Sequence, residues 1–564
     1  MDSKEITKQY KLWLENAKED PDLVKEMASW EAEEQIEEAF YKNLEFGTGG
    51  LRGVMGAGSA RINIYTVAKA SQGLANYIKK QVPQEKRRVA IGYDSRIKSE
   101  AFARTAAEVF AGNGIKTFIF NRLMPTPCLS FAVRRLGCCM GAMITASHNP
   151  SKYNGYKVYN SQGCQITTAA ADEIFKEIEA LDIFHDIFRM RFNKAVESGM
   201  LDFVSEEVIA DYIKEVKKQS VLGSGTEIDK EVSIIYSPLN GAGLELVTRI
   251  LSESGYSKVS LVKEQAEPDG TFPTCPYPNP EIKEAMRLGL EYARQLEAEL
   301  FLATDPDCDR LGVAIKEGND YILLTGNEVG VLLFNYICAR RRELGTMPDS
   351  PVIIKTVVTT DMAEKIAQSY QVATINVLTG FKFIGEQIGF MEEEGREKNY
   401  IFGFEESCGY LSGSYVRDKD AVNAAFLICE MFAFYKTKGV SLSEKLKQLY
   451  HKYGYCLNTL HSYEFEGIQG FERMKGIMAA LRAGAENIAG RKTLQVIDYA
   501  KGIDGLPKSD VLKYVLAGDA FFTVRPSGTE PKLKAYFCIK AASEEAAREQ
   551  EEELRYYVER HFLK

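Results

Sequence analysis

No two of the eleven cysteines, which run from Cys128 to Cys538, stand in CxxC spacing. Neither a zinc site nor a disulfide framework is indicated, and a reducing compartment fits. Cys138-Cys139 lies in an apolar run and reads as a pair of small buried hydrophobes. No apolar run approaches the length that spans a membrane. The opening Met1-Asp2-Ser3-Lys4-Glu5 leads into charged, helix-like sequence without an apolar signal core. A cytoplasmic location is therefore expected. There is no excess of positive charge either. The formal net charge of −9 argues against general affinity for nucleic acid or acidic membranes, while leaving room for a local basic pocket. What is present is an ordinary globular balance, 45% hydrophobic and 26% charged. The length of 564 residues suggests three to four domains.

The first forty or so residues read as helical, with Tyr10, Trp13 and Trp30 among charges. A glycine-rich segment from Glu45 to Gly53 follows. Apolar runs then alternate with amphipathic stretches: Arg88–Tyr93 as strand, Ser99–Gly112 as helix, and Lys116–Phe120 as strand. The same grammar returns at Val232–Tyr236, followed by a helix from Leu244, and at Val352–Val358, followed by a helix near Asp361. Such alternation indicates largely parallel sheets with crossover helices, in three related α/β units. The last hundred residues differ. Ala520–Arg525 and Leu533–Cys538 read as strands around a turn, and an acidic helix starts near Ser543, giving a smaller α+β domain. The expected boundaries are 1–205, 206–325, 326–448 and 449–564; no low-complexity linker marks them.

Chemistry concentrates where strands end. Residues 137–144 form an apolar run, after which Pro150 removes a donor and pushes Asn149 toward extended geometry. Ser147 and His148 therefore sit on a strand-to-loop switch, where α/β proteins place function. Asp305, Asp307 and Asp309 alternate in Thr304-Asp-Pro-Asp-Cys-Asp-Arg310, after the strand Glu299–Ala303. A curled loop would bring the three carboxylates together. At mutual distances of ~4 Å they would repel by on the order of 10 kcal/mol at an effective dielectric near 20. Either a cation neutralises them or some stay protonated. An all-oxygen set suits Mg²⁺ or Ca²⁺, but Arg310 and Lys316 stand where a calcium loop of the EF-hand type needs Gly and Glu.

Other loops suit anions and sugars. Arg525-Pro-Ser527-Gly528-Thr529 joins a guanidinium to backbone amides and hydroxyls, a set able to wrap a phosphate monoester. Glu405, Glu406 and Ser407 suit recognition of sugar hydroxyls at another strand end. Arg417-Asp418-Lys419-Asp420 reads as a helix start capped by Asp418 or Asp420, with basic residues that could face an anion. Lys157, on the strand after Ser147, reads as a solvated edge or as a cation returning to the serine loop.

Taken together, FGTGGLRG, TASHNP, DPDCDR, GFEES and RPSGTEP, in that order along nearly the whole chain, resemble the α-D-phosphohexomutase superfamily. The amino-terminal extension and the DPDCDR and GFEES spellings resemble the branch that includes phosphoglucomutases and phosphopentomutases. Gly49 stands where many members have serine, and the Cys308 side chain is expected to point away from the metal. The resemblance implies three related α/β mixed-sheet domains plus a smaller C-terminal α+β domain around a central cleft, each lending one loop. It implies that Ser147 carries a phosphoryl group, with Asp305, Asp307, Asp309 and a phosphoserine oxygen holding Mg²⁺. Arg52, His148, Lys157 and Arg310 would line the reacting centre, Lys157 or His148 relaying the proton. Thr379, Gly380 and Lys382 would form a substrate loop, beside Glu405, Ser407, Arg417 and Lys419. Arg525, Ser527, Gly528 and Thr529 would grip the non-reacting phosphate. The implied reaction interconverts glucose 1-phosphate and glucose 6-phosphate, with glucose 1,6-bisphosphate as intermediate and activator. The same mechanism on mannose or pentose phosphates is the alternative. A phosphatase, or a sugar-phosphate-binding protein without catalysis, is further removed. The expected partners are small sugar phosphates, with no nucleic acid and no membrane; oligomeric state is left open.

Overall fold

A computed structural model describes residues 3–45, 50–465, 467–503, 505–526 and 532–563. The chain divides into two compact units, one of residues 1–325, 381–400 and 407–434, the other of 326–380, 401–406 and 435–564.

In the first unit, three helices, Ser3–Asn16, Pro21–Ala28 and Glu33–Phe40, answer the helical reading of the amino terminus. Trp13 is their fully buried centre, packed edge-on against Phe40, Tyr65 and Phe184. A six-stranded mixed sheet follows. Arg88–Tyr93 lies between Lys116–Ile119 and Met140–Ile144, parallel to both. Tyr153–Asn160 returns antiparallel beside Met140–Ile144. Every residue of Met140–Ile144 is buried, as expected of a strand covered on both faces. The apolar run began earlier, but Gly137 turns at φ 60° and the strand starts at Met140. Ser99–Gly112, rich in alanine, forms the crossover helix over the expected residues.

A five-stranded sheet supplies the rest of this unit's framework. Ile234–Ser237 and Leu300–Thr304 are parallel, and Leu311–Glu317 runs back antiparallel to the latter. Gly241 is required in the turn after Ile234–Ser237, because a β-carbon there would lie 2.4 Å from Pro306 Cα. The aspartate loop is thus braced by its neighbour's backbone.

The second unit contains Val352–Thr356, parallel to Ala373–Val377, with the helix Met362–Tyr370 between them. Its Tyr400–Glu405 strand is buried throughout, so Glu405 still belongs to the sheet. Its C-terminal sheet is built of antiparallel pairs, with Tyr455–Glu464 beside Lys532–Ala541 over ten pairs of residues. Leu512, Tyr514, Leu516, Phe522 and Val524 point to one core, shared with Leu554 and Val558 of the helix Glu544–Val558. Ser543 caps that helix by accepting from Ala546 N at 3.2 Å. No helix among the described residues is long and apolar enough to cross a membrane.

Candidate active site

Ser147 follows Met140–Ile144 and takes φ 50°, a left-handed conformation uncommon for a side-chain-bearing residue. Such strain persists only where surroundings hold it, and here they do. The Arg96 guanidinium, wholly buried, donates to the carbonyls of Ser147 and Asn149, and at 3.0 Å to those of Pro150 and Tyr153. Thr145 Oγ1 accepts from Ser147 N at 2.8 Å and donates to Asp94 Oδ2 at 2.6 Å. Asp94 also accepts from Ser99 Oγ at 2.8 Å. On the neighbouring strand, Gly155 donates none of its space: a β-carbon there would lie 2.4 Å from Thr145 O. Asp94 and Arg96 were not singled out in the sequence. Their signal was Asp94's place directly after the strand Arg88–Tyr93, the same strand-end position that marked Ser147.

The aspartates converge. Asp305, Asp307 and Asp309 are each fully buried, and one ligand oxygen from each lies within 4.8 Å of the others. The loop closes on itself, with Asp309 N and Arg310 N each donating to Asp305 Oδ1 at 3.0 Å. Cys308 takes φ 53°, which lets the alternate carboxylates face one side. Its sulfur would lie 3.0 Å from a β-carbon on Gly243, so it packs toward the Gly243–Glu253 helix. Thr126, absent from the sequence reading, donates to Asp307 Oδ2 at 2.9 Å.

The serine and aspartate loops meet. Ser147 Oγ donates to Asp305 Oδ2 at 2.8 Å and lies 3.2 Å from His148 Nδ1. Lys157, far from a solvated edge, is buried and reaches Asp307 Oδ2 at 2.7 Å and Asp309 Oδ2 at 3.4 Å. Lys419 Nζ stands 2.9 Å from Asp309 Oδ2. Burial, with repulsion from Asp309 and Asp307, pushes Asp305 well above the carboxylate range. Burial acts the same way on Asp307, but Lys157 beside it prevails and holds it below. Burial opposes charge on Lys157, yet Asp307 and Asp309 keep it above the ordinary lysine value. Burial and the nearby Arg310 and Arg52 hold His148 well below its usual value, as a neutral imidazole. A cationic lysine and a neutral histidine thus flank the joined serine and aspartate loops.

Asp307 Oδ1 and Asp309 Oδ1 are buried and accept no hydrogen bond. Carboxylate oxygens left without donors are costly unless a cation meets them. The all-oxygen set therefore fits a divalent metal of the hard class.

Arg52 is exposed, opposite Gly155 in the strand pair. Arg310 binds Glu281 and donates to Ser407 O at 3.2 Å. Arg417, expected at a substrate, is wholly buried; its guanidinium donates to the Ser414 carbonyl, to Val416 O at 3.1 Å and to Glu392 at 2.7 Å. Those bonds make it an internal strut of its own loop. Asp420, rather than Asp418, caps the following helix, accepting from Asn423 N at 2.9 Å. Lys382 lies in the helix Phe381–Glu393. In the second unit, Gly380 N donates to Glu405 Oε1 at 2.9 Å, next to Thr379. Glu406 accepts there from the hydroxyls of Thr356 and Thr359, two residues the sequence reading passed over. Arg525 is part of the strand Ala520–Pro526. Ser527, Gly528 and Thr529 lie outside the described residues, as does Gly49.

Comparison with known proteins matches this arrangement in sequence order. The family models for phosphoglucomutase/phosphomannomutase α/β/α domains I, II and III match residues 43–183, 210–318 and 325–453. The C-terminal domain of the same family matches residues 472–555. A protein named phosphoglucomutase from Staphylococcus saprophyticus is 38% identical over 542 residues, covering 94% of this chain and 96% of its own. A phosphoglucomutase of Staphylococcus aureus is 35% identical over 543 residues, covering 94% and 95%. Among solved structures, a putative phosphomannomutase from Thermus thermophilus shares the fold with a TM-score of 0.67 at 22% identity, covering 92% of this chain and 99% of that one. The chain belongs to the phosphoglucomutase/phosphomannomutase family.

Proposed function

We propose that the protein is a phosphoglucomutase, interconverting glucose 1-phosphate and glucose 6-phosphate through a phosphorylated Ser147. The observation that carries this reading is the meeting of Ser147 Oγ with Asp305 Oδ2 at 2.8 Å, inside a cluster of buried carboxylates. A hydrolase built on a Ser-His pair would pair the imidazole with an acid; here the acid groups gather around the serine as a cation site. The names of relatives at 35–38% identity over 94% of the chain support the mutase reading over its neighbours.

Mg²⁺ is the proposed metal, held by Asp305, Asp307, Asp309 and a phosphoryl oxygen on Ser147. When bound it offsets the negative charge of the transferring group and polarises it. The residues themselves do the rest. In the forward half-reaction a sugar hydroxyl attacks the phosphoryl group on Ser147. The new P–O bond to the sugar forms as the P–O bond to Ser147 Oγ breaks. Neutral His148 suits acceptance of the hydroxyl proton, while protonated Lys157 suits stabilisation of charge on the phosphoryl oxygens or return of a proton to Ser147. The product is glucose 1,6-bisphosphate, which turns end for end and returns its other phosphate to Ser147.

The sugar needs readers that tolerate both orientations. Glu405, oriented by Gly380 N, is proposed to take two sugar hydroxyls, and Thr379, Lys382 and Ser407 are proposed as further substrate contacts. Arg525 with Ser527, Gly528 and Thr529 is proposed to hold the phosphate that is not reacting. Arg52, Arg310 and Lys419 complete the positive surroundings of the reacting phosphate. For Arg417 we propose support of the Ser414–Lys419 loop instead of substrate contact.

The test is a coupled assay with glucose 1-phosphate, Mg²⁺ and a catalytic trace of glucose 1,6-bisphosphate, run beside mannose 1-phosphate and ribose 1-phosphate. Glucose 6-phosphate formation with the highest kcat/KM is expected. A higher kcat/KM on either other sugar, or release of free phosphate as the main product, would overturn the reading.

A further inference from the structure

Cys456 and Cys538, both in the second unit, take no part in the chemistry above. Their sulfurs stand 3.3 Å apart, and both thiols are free. We propose that this pair is a modification site, a dithiol that a hydroperoxide oxidises to an intramolecular disulfide.

Three observations carry it. The first is activation of one sulfur. The Thr360 hydroxyl lies 3.4 Å from Cys456 Sγ, and the Asn458 side-chain amide 3.7 Å from it, both as donors. With the Cys538 thiol as a third donor, three groups favour the anionic form of Cys456, and the thiolate is the reactive species. The Cys538 thiol accordingly draws Cys456 below the usual thiol range, against the effect of burial, while the same hydrogen bond raises Cys538. Cys429 shows the contrast: burial alone pushes its thiol up.

The second observation is access. A cavity of about 410 Å³ is lined by both sulfur-bearing residues together with Asp361, Tyr453, Lys513 and Phe521. Cys456 is only half-buried, so a small hydroperoxide can reach it.

The third is reach. Cys538 pairs with Asn458 across the sheet, and Cys456 pairs with Lys540, so the two cysteines are diagonal neighbours on adjacent strands. Shortening 3.3 Å to a disulfide's ~2.05 Å needs about 1.3 Å of movement. Cys456 is the second residue of its strand, and the strand follows Gly454, whose φ of 91° no side-chain-bearing residue would readily adopt. Movement at this strand end is cheaper than in the middle of the sheet.

The chemistry balances. Cys456 thiolate attacks the hydroperoxide: an S–O bond forms, the O–O bond breaks, and the alcohol (water, for hydrogen peroxide) leaves with a proton. Cys538 sulfur then attacks the sulfenic sulfur. The S–S bond forms, the S–O bond breaks, and hydroxide leaves as water with the Cys538 proton. Two thiols lose two electrons in all, and the peroxide gains them. Oxidation also takes away the anionic acceptor facing Thr360. Thr360 Oγ1 accepts from Met362 N at 3.3 Å, at the first turn of the helix Met362–Tyr370. The start of that helix is therefore expected to exchange its amide hydrogens faster in the oxidised protein.

The experiment treats the full chain with a small excess of hydrogen peroxide, alkylates remaining thiols, and digests it without reductant. A linked pair of peptides carrying Cys456 and Cys538, two hydrogens lighter than their sum and separated by dithiothreitol, is expected. Equal alkylation of both cysteines before and after peroxide would overturn the proposal, as would their pairing with other cysteines. In Cys538→Ser the sulfenic acid on Cys456 should persist and be captured by dimedone; no capture in a folded variant counts against it. Should that variant not fold, the wild-type protein gives a second reading. Cys456 should react with iodoacetamide at neutral pH roughly tenfold or more faster than Cys338, and equal rates would overturn the proposal.

Discussion

The sheet beneath Ser147 and the sheet at the carboxyl terminus handle polar groups in opposite ways. In the first, Met140–Ile144 is buried on both faces, and the neighbouring Arg88–Tyr93 is buried after its first residue. The polar side chains of these two strands gather at their ends, where Asp94, Arg96, Thr145 and Ser147 interlock without solvent. In the second, Leu512–Leu516 alternates buried and half-buried, and Arg491–Asp498 is largely exposed. Along these two strands only one face meets the core and charges sit on the other, whereas Ala520–Val524 and Ala535–Ile539 deeper in the sheet are buried throughout. A sheet covered twice concentrates its chemistry into a few strained residues. Strands covered once spread polar groups along their open face.

If that contrast is right, substitutions at the buried strand ends should cost far more than comparable ones in the C-terminal sheet. Ser147→Ala should show the largest effect, lowering kcat by roughly 10³-fold or more, because it removes the phosphoryl carrier. Binding of glucose 6-phosphate, followed by calorimetry, should survive. Near-normal turnover would break the mechanism.

Next comes the cation site. Asp307→Asn, or removal of metal by a chelator, should each cut the rate by two orders of magnitude or more, on the order of 3 kcal/mol. Added Mg²⁺ should restore the chelated wild type but not the variant. Recovery of the variant at millimolar Mg²⁺ would show that Asp305 and Asp309 suffice.

Arg96→Met tests the clamp. It leaves Asp94 buried without its cation and frees the carbonyls of the serine loop, for an expected loss of about 3–5 kcal/mol in unfolding free energy. Urea denaturation reads this directly. A loss below 1 kcal/mol would mean that the loop holds its left-handed serine by other means.

On the other side of the contrast, Arg525→Ala should raise KM by about tenfold to a hundredfold, from the ~1.5–3 kcal/mol of a hydrogen bond to a charged group. Its unfolding midpoint should barely move. The smallest effect is expected at Glu551, which accepts from Thr459 Oγ1 at 2.7 Å and lies 2.9 Å from His461 Nε2. Burial raises this carboxyl, but the bonds from His461 and Thr459 prevail and hold it below the ordinary range. A lowered folded value means that the unfolded chain takes up the proton first. The stabilisation is thus present above the unfolded value of ~4.3 and is lost as pH falls through the folded one. Glu551→Gln should cost about 1 kcal/mol at pH 7 and less at pH 3. An equal cost at both pH values would assign the loss to packing.

Much of this was written along the chain. Strand and helix periodicity located Arg88–Tyr93, Ser99–Gly112 and the helix beginning after Ser543, because apolar spacing follows from backbone geometry and needs no partner. The order of five motifs carried the family. Alternation of Asp305, Asp307 and Asp309 was legible too, since alternate residues on a curled loop share a side. The sequence was weaker wherever a side chain's role depends on what lies across from it. Lys157 read either as a solvated edge or as a cation returning to the serine loop, and only the fold buries it against Asp307; Arg417 read as a ligand, and its guanidinium turns to the Ser414 and Val416 carbonyls and to Glu392.

The sequence by itself determined the kinds of groups, their strand-end positions and the family to which they belong. Tertiary structure alone decided which of them touch. It joined Ser147 to Asp305 across 158 positions, set Lys157 against Asp307, and brought Cys456 to Cys538. The physical reason is that local pattern reports the period of a helix or strand, whereas charge states and contacts come from burial and from neighbours remote in the chain.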